Sequence, residues 1–217
     1  MKIAIMQPYF CPYMGYFQLI DAVDTFVFYD DVQYIKRGYI NRNTLKNDLK
    51  FTVPVSNAST KRKIYEVKIN WENKFFHKFK KTIYHLYSEF ESYAEVANML
   101  NELFDARPKT ISDLAINSVK MFSKHLGIQT TFLKSSEIDY LKTDDRSLNL
   151  INICKSQFCN HYINSIGGRE LYDKNFFESH KIQLNFIRTK PSLSIIDVCM
   201  NTSRPCLKKT LNNYHLT

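Results

Sequence analysis

Asp30 and Asp31 stand together directly after the apolar run Phe26-Val27-Phe28-Tyr29. From Asp30 to Asn43 the chain adds Gln33, Asn41 and Asn43 as amides and Lys36, Arg37 and Arg42 as cations. The stretch has no clean hydrophobic period, which predicts a contact-making loop. Carboxylates beside ammonium and guanidinium groups can grip a phosphate, orient a sugar or base and take up a proton. An ion-paired surface loop has the same composition, so composition alone leaves both readings open. Two further segments carry comparable chemistry. Gln7-Pro8-Tyr9-Phe10-Cys11-Pro12-Tyr13-Met14-Gly15-Tyr16 is stiffened by prolines and edged with phenol hydroxyls. Ser165-Ile166-Gly167-Gly168-Arg169 offers bare backbone amides and a guanidinium, which suit an anion at a strand end, although a simple turn would look the same.

The elements that must position these groups follow from hydrophobic spacing. Ile3-Ala4-Ile5-Met6 reads as a buried strand, and Tyr16, Leu19, Ile20 and Val23 recur at helical spacing behind the tyrosine loop. With the strand 26–29 they make one βαβ unit, whose crevice lies between strand end and helix start. Phe51–Val55 and Ile64–Ile69 alternate at period two and predict an antiparallel hairpin, with Pro54 at an edge or bulge. Its polar connector carries Lys61-Arg62-Lys63, a candidate flap for an anionic substrate. A helical pattern runs from Asn73 to about Phe104, and another from Ile111 to Leu126 with Gly127 as its cap. A strand at 130–134, a helix at 145–158, strands at 161–164 and 182–187, and a helix beginning at Ser192 or Ser194 complete the chain. The order predicts a single α/β domain over 1–217. It would be a Rossmann-like, nucleotidyltransferase-type, mainly parallel five-stranded sheet with helices on both faces, plus an antiparallel hairpin and helical insertion at 45–105.

Hydrophobic residues make up 44% and charged residues 24%, which places the chain among ordinary folded domains rather than fibrous or disordered ones. The formal net charge of +9 leans toward anionic partners but carries no site information. Five cysteines at 11, 154, 159, 199 and 206 form no Cys-x-x-Cys pair, against a disulfide framework or a zinc site. Cys11 lies in the tyrosine loop without a neighbouring histidine to activate it, which argues against a nucleophile. The glycine fingerprints of dinucleotide and P-loop sites and the HExxH zinc motif are missing. No signal-peptide pattern or membrane-length apolar run is visible, so a cytoplasmic protein is expected.

Tyr13-Met14-Gly15-Tyr16 occupies the place where adenylate-forming nucleotidyltransferases carry His-x-Gly-His. Neutral tyrosines replace both histidines, so the likeness is a fold-level analogy for a nucleotide pocket. A more specific likeness lies in MQPYFCPYMGYFQLIDAVDTFVFYDDVQYIKRGYINRN, which resembles the WbqC-like family, and YINSIGGRELYD and LSIIDV resemble that family's later motifs. Cys11 stands where the family pattern has an aromatic, and the link from Ile187 to Leu193 is shorter than usual. The resemblance implies a role in bacterial surface polysaccharide (O-antigen, lipopolysaccharide) biosynthesis, as a transferase acting on a nucleotide-linked sugar, a nucleotide-sugar-like anionic small molecule. The sharper expectation is N-acyl or aminoacyl transfer onto a nucleotide-linked amino sugar. Acyl-CoA, aminoacyl-tRNA (tRNA only as donor) or ATP with Mg would be the cofactor. On that expectation Asp30, Asp31 and Tyr16 are the catalytic candidates, with no protein metal site. Gln7, Tyr9, Tyr13, Gly15, Gln33, Lys36, Arg37, Asn41 and Arg42 would bind substrate, with Tyr13, Tyr16, Lys36, Arg37 and Arg42 on the diphosphate. Ser165, Gly167, Gly168 and Arg169 would face them as a second anion site. An ATP-dependent, adenylate-forming ligase and a non-catalytic nucleotide or nucleic-acid binding module are the alternatives.

Overall fold

The structure is a computed structural model and describes all 217 residues. Strand β1 (Lys2–Met6), helix α1 (Met14–Asp21) and strand β2 (Thr25–Phe28) form the first parallel pair, in register from Ile3 opposite Thr25 to Met6 opposite Phe28. Two small antiparallel ladders follow, β3 (Arg42–Leu45) with β4 (Leu49–Thr52) and β5 (Val55–Ser56) with β6 (Lys68–Ile69). Helices α2 (Phe75–Tyr87), α3 (Tyr93–Asp105) and α4 (Ile111–Leu126) lead to β7 (Thr131–Lys134). Then come α5 (Arg146–Ser156), β8 (His161–Ser165), α6 (Lys174–Ser179) and β9 (Gln183–Arg188). Helices α7 (Ile195–Asn201) and α8 (Arg204–Leu211) precede a short β10 (His215–Leu216).

The main sheet is mixed and has six strands in the order β10-β9-β8-β1-β2-β7. Five of them are parallel, and the sixth, β10, adds antiparallel to β9. The five-strand expectation is therefore one short. His215 and Leu216 pair with Arg188 and Ile187 through backbone groups, and two exposed residues have no periodicity to read. The expected hairpin is also re-paired. Phe51 lies opposite Asn43, and only Val55–Ser56 meets Lys68–Ile69. Pro54 has no N–H to continue a ladder, so the chain changes partner around it. The long helical pattern from 73 breaks at 88–92 into α2 and α3, which pack against each other as a hairpin.

Strand alternation sorts the core onto two faces. Ala4, Phe26, Phe28 and Ile163 join the larger cluster with α1, α4, α7 and α8, while Ile3, Ile5, Val27 and Tyr162 join a smaller one with α5 and α6. Because β1 and β2 are covered on both faces, their runs are nearly continuously apolar, while β8 keeps that character only at Tyr162 and Ile163. Caps fix the helix starts beside the strand ends. The Thr110 hydroxyl accepts from Asp113 N at 3.1 Å, and the Asp145 carboxylate accepts from Leu148 N at 3.0 Å.

Candidate functional site

The chain moves from β1 to β2 on one side and later returns to set β8 on the other side of β1. Where strand order reverses in this way, the carboxyl ends of the strands part and leave a crevice that ligands can enter. A cleft of about 840 Å³ lies there. Gln7 and Tyr9 wall it beyond β1, Tyr29, Asp31, Gln33 and Ile35 beyond β2, and Asn164, Ser165, Gly167 and Gly168 at the end of β8 and in the turn after it. The stretch around the start of α5 closes it with Thr143, Asp144, Arg146 and Asn149, and Lys63 reaches its edge.

Asp30 and Asp31 lie just past β2, after Tyr29, and differ in what they reach. Asp30 is 1% exposed and does not line the cleft. Its carboxylate accepts from Ser136 N and Ser136 Oγ, both at 3.0 Å, from Ser135 Oγ at 3.2 Å and from Ser112 Oγ at 3.4 Å. Burial pushes its pKa up, against these hydrogen bonds. Asp31 lines the cleft and holds Lys142 Nζ at 2.5 Å and Tyr140 Oη at 2.9 Å on one carboxylate oxygen. Its other oxygen accepts from Ser135 Oγ. Burial alone would raise its pKa, but the Lys142, Ser135 and Tyr140 hydrogen bonds outweigh it and hold the group below the ordinary carboxylate value. Asp31 is thus a fixed negative charge at neutral pH, with the weak basicity that such stabilisation brings. Burial, and next the Asp31 charge, pushes Tyr29 up to about 12, so its phenol keeps its proton and can donate.

The tyrosine loop divides between cleft and scaffold. Gln7 and Tyr9 line the cleft, while Tyr13, Gly15 and Tyr16 do not. Tyr16 is 1% exposed, and its hydroxyl donates to the Gln7 carbonyl at 2.8 Å, fixing the backbone under the site. A Cβ on Gly15 would run into the Tyr13 ring and the Thr189 side chain, so glycine there serves close packing rather than a ligand. The loop's far side is sewn to the C-terminal segment. Met14 N donates to Ser192 Oγ at 3.1 Å, Ser194 Oγ to the Cys11 carbonyl at 2.7 Å, and Ile195 N to the Pro12 carbonyl at 2.7 Å. Cys11 is fully buried, and that burial raises its thiol well above the usual range.

The loop after Asp31 divides in the same way. Gln33 reaches the cleft edge, and Asn41 is buried, accepting from Tyr34 Oη at 2.9 Å and donating to the Val53 carbonyl at 2.7 Å. Lys36 and Arg37 are exposed, Arg42 lies over the Tyr39 ring at 5.9 Å, and none of the three lines the cleft. The 61–63 cations come alongside this loop, because Tyr34 N donates to the Arg62 carbonyl at 2.8 Å and Gln33 bridges Lys63. Beyond β8, a Cβ on Gly168 would stand 2.6 Å from Asn164 Nδ2, so the turn has to be bare for Asn164 to sit beneath it. Ser165, Gly167 and Gly168 line the cleft, and Arg169 is exposed outside it.

The largest omission from the sequence reading is the wall from Tyr140 to Asn149. Lys142 and Tyr140 pin Asp31, and Asn149 ties the segment by accepting from Thr143 N at 2.7 Å and donating to its carbonyl at 2.8 Å. In that segment the sequence signalled only the helix beginning at 145. No group of three or more His, Cys, Asp or Glu side chains has metal-site geometry. No helix is long and apolar enough to cross a membrane.

The chain is similar to the uncharacterized protein Rv1507c of Mycobacterium tuberculosis, 28% identical over 92% of this chain and 93% of the relative. No solved structure gives a significant match. The model of the WbqC-like protein family matches residues 7–208, from the tyrosine loop through both later motifs and into α8. The protein belongs to the WbqC-like protein family.

Proposed function

We propose that this protein is a transferase of surface polysaccharide (O-antigen) biosynthesis, adding an acyl or aminoacyl group to a nucleotide-linked amino sugar in the β1/β8 cleft. One observation carries this reading: a cleft of about 840 Å³ at the strand-order reversal sets an ionised, anchored Asp31 across from the bare Gly167-Gly168 turn. Arg146 and Lys63 supply positive charge at the same cleft for a diphosphate, and Tyr9, Tyr29, Gln7 and Asn164 supply neutral donors and acceptors for sugar hydroxyls. Asp31 suits holding the amine beside the acyl donor rather than deprotonating it. The amine proton then leaves with the departing group of the donor, and catalysis rests on positioning. The sheet's reversal of strand order is the arrangement of Rossmann-like nucleotide sites, which supports a nucleotide handle on the sugar.

The burial of Tyr16 and the position of Tyr13 outside the cleft count against the adenylate-forming alternative. The residues standing where that chemistry carries its histidines do not reach the ligand space. Thermal denaturation with a nucleotide-linked amino sugar, ATP, acyl-CoA and tRNA tests the proposal. The nucleotide sugar at about a hundredfold its Kd should add about 2.7 kcal/mol. For a chain of this length that raises Tm by about 5–10 °C. Stabilisation by ATP alone would favour the ligase reading, and stabilisation by tRNA alone would favour the binding module.

A further inference from the structure

The mouth of the cleft has a character that its interior lacks. Ile35 (51% exposed) and Leu171 (68%) line it from opposite walls while standing largely in solvent. Leu141 (72%) lies between the two residues that grip Asp31, and Tyr39 (65%) packs its ring 6.3 Å from that of Tyr9. Scattered exposed apolar residues need no explanation, but Ile35 and Leu171 line one opening, and Leu141 and Tyr39 adjoin residues that build it.

The two loops beside that opening, 33–42 and 57–65, run together through the Tyr34–Arg62 and Gln33–Lys63 backbone contacts. They contain Lys36, Arg37, Arg42, Lys61, Arg62 and Lys63 and not one carboxylate. None of these cations belongs to an ion pair; the pairs in the molecule involve other cations. The opposite wall is mixed, with Asp139, Asp144, Asp145, Glu170 and Asp173 among Lys142, Arg146 and Arg169, so the attraction lies in the two basic loops. Six unpaired cations would be strongly attracted to an anionic surface. Exposed aliphatic tips at the same place match the interfacial layer of a bilayer, where apolar side chains enter the acyl boundary and cations meet lipid phosphates. A polynucleotide would use the cations and the exposed Tyr39 ring, but Ile35, Leu141 and Leu171 offer it neither a polar contact nor a stacking face.

We propose that the cleft mouth is a docking face for an anionic lipid bilayer, with loops 33–42 and 57–65 as its electrostatic contact and Ile35, Leu141 and Leu171 as its shallow apolar contact. The face shares Ile35, Lys63 and Leu171 with the cleft lining, while its other cations lie outside the cleft. Its consequence for the site is that the cleft is loaded and emptied beside the membrane surface.

Vesicle flotation with the full-length protein tests this. Vesicles containing phosphatidylglycerol should carry the protein and phosphatidylcholine vesicles should not, with binding falling as salt rises. K36E/R37E should lower partitioning by about tenfold or more, from the loss of two surface cations. I35S/L171S should lower it about fivefold or more, from the loss of inserted apolar area. K120E/K124E, on exposed cations of α4, should leave it unchanged. Equal loss in K120E/K124E would overturn the assignment to this face. Absence of binding to anionic vesicles would overturn the proposal, as would tRNA binding that the vesicles cannot displace. A normal Tm for each variant separates lost docking from lost folding.

Discussion

The two sides of the sheet beyond β2 treat the same residue type in opposite ways. On the α4 side, three serines enclose Asp30 away from water, and burial raises its pKa. On the cleft side, Asp31 is just as desolvated as a side chain, but Lys142 and Tyr140 reach in from the 140–149 wall and keep it ionised. Ser135 touches both carboxylates and ties the two sides together. One aspartate therefore holds β2 to the segment after β7, and the other presents charge to a ligand. Both residues lie past the end of β2, and the division is set by their partners: Ser112 and Ser136 on Asp30, Lys142 and Tyr140 on Asp31.

The contrast breaks most forcefully at Asp30. Replacing it with alanine removes the acceptor of the Ser112 hydroxyl and of the Ser136 hydroxyl and N–H, while Ser135 Oγ keeps Asp31 as its partner. A loss of about 3 kcal/mol in urea unfolding is expected. The ligand affinity of the folded fraction should stay near wild type. Asp31→Asn should do the reverse, with stability down by about 1 kcal/mol and nucleotide-sugar affinity or turnover down about tenfold, because Lys142 loses its counter-charge. Calorimetric titration together with unfolding curves reads both quantities. Comparable stability losses in the two variants would erase the distinction.

Acid sharpens it further. Asp31's pKa is lowered on folding, so its stabilisation is complete above the ordinary carboxylate pKa of 3.8 and is lost as pH falls through its folded value. Asp30's is raised, so its contribution is complete below 3.8 and is lost as pH rises through its folded value. The stability gap between wild type and Asp31→Asn should close on acidification, and the gap to Asp30→Asn should move in wild type's favour. Urea unfolding from about pH 3 to 7 checks both signs.

Smaller effects fall on the scaffold. Gly168→Ala forces Asn164 Nδ2 aside and should weaken the ligand about threefold to fivefold while sparing most of the fold. Tyr16→Phe removes one buried hydrogen bond to the Gln7 carbonyl. It should cost about 1 kcal/mol of stability, with turnover within about twofold of wild type.

Legibility in the sequence followed how local each signal was. The strands β1 and β2 are short apolar runs, β7, β8 and β9 carry apolar pairs or alternation, and Ile111–Leu126 with its Gly127 cap is a helix with a marked end, so these could be read within a few residues. The β3 strand could not, because Arg42-Asn43-Thr44-Leu45 has no alternation and is extended only by its partner β4. In the site, clustered polar residues flagged Gln7, Tyr9, Asp31, Gln33 and the Gly167-Gly168 turn. Neighbours of the same type, Tyr16, Asp30 and Asn41, face the interior. Residue type alone does not say which way a hydroxyl or carboxylate points. The wall at 140–149 reads as a polar loop before a helix, and only the sheet's closure brings Lys142 to Asp31.

Hydrogen exchange followed by mass spectrometry, with and without a saturating nucleotide-linked amino sugar, tests the central claim most directly. The cleft account predicts slowed exchange in peptides covering 7–9, 31–33, 143–149 and 164–168, with α2 and α3 unchanged. Protection confined to α2 and α3, or no protection under saturating ligand, would contradict it.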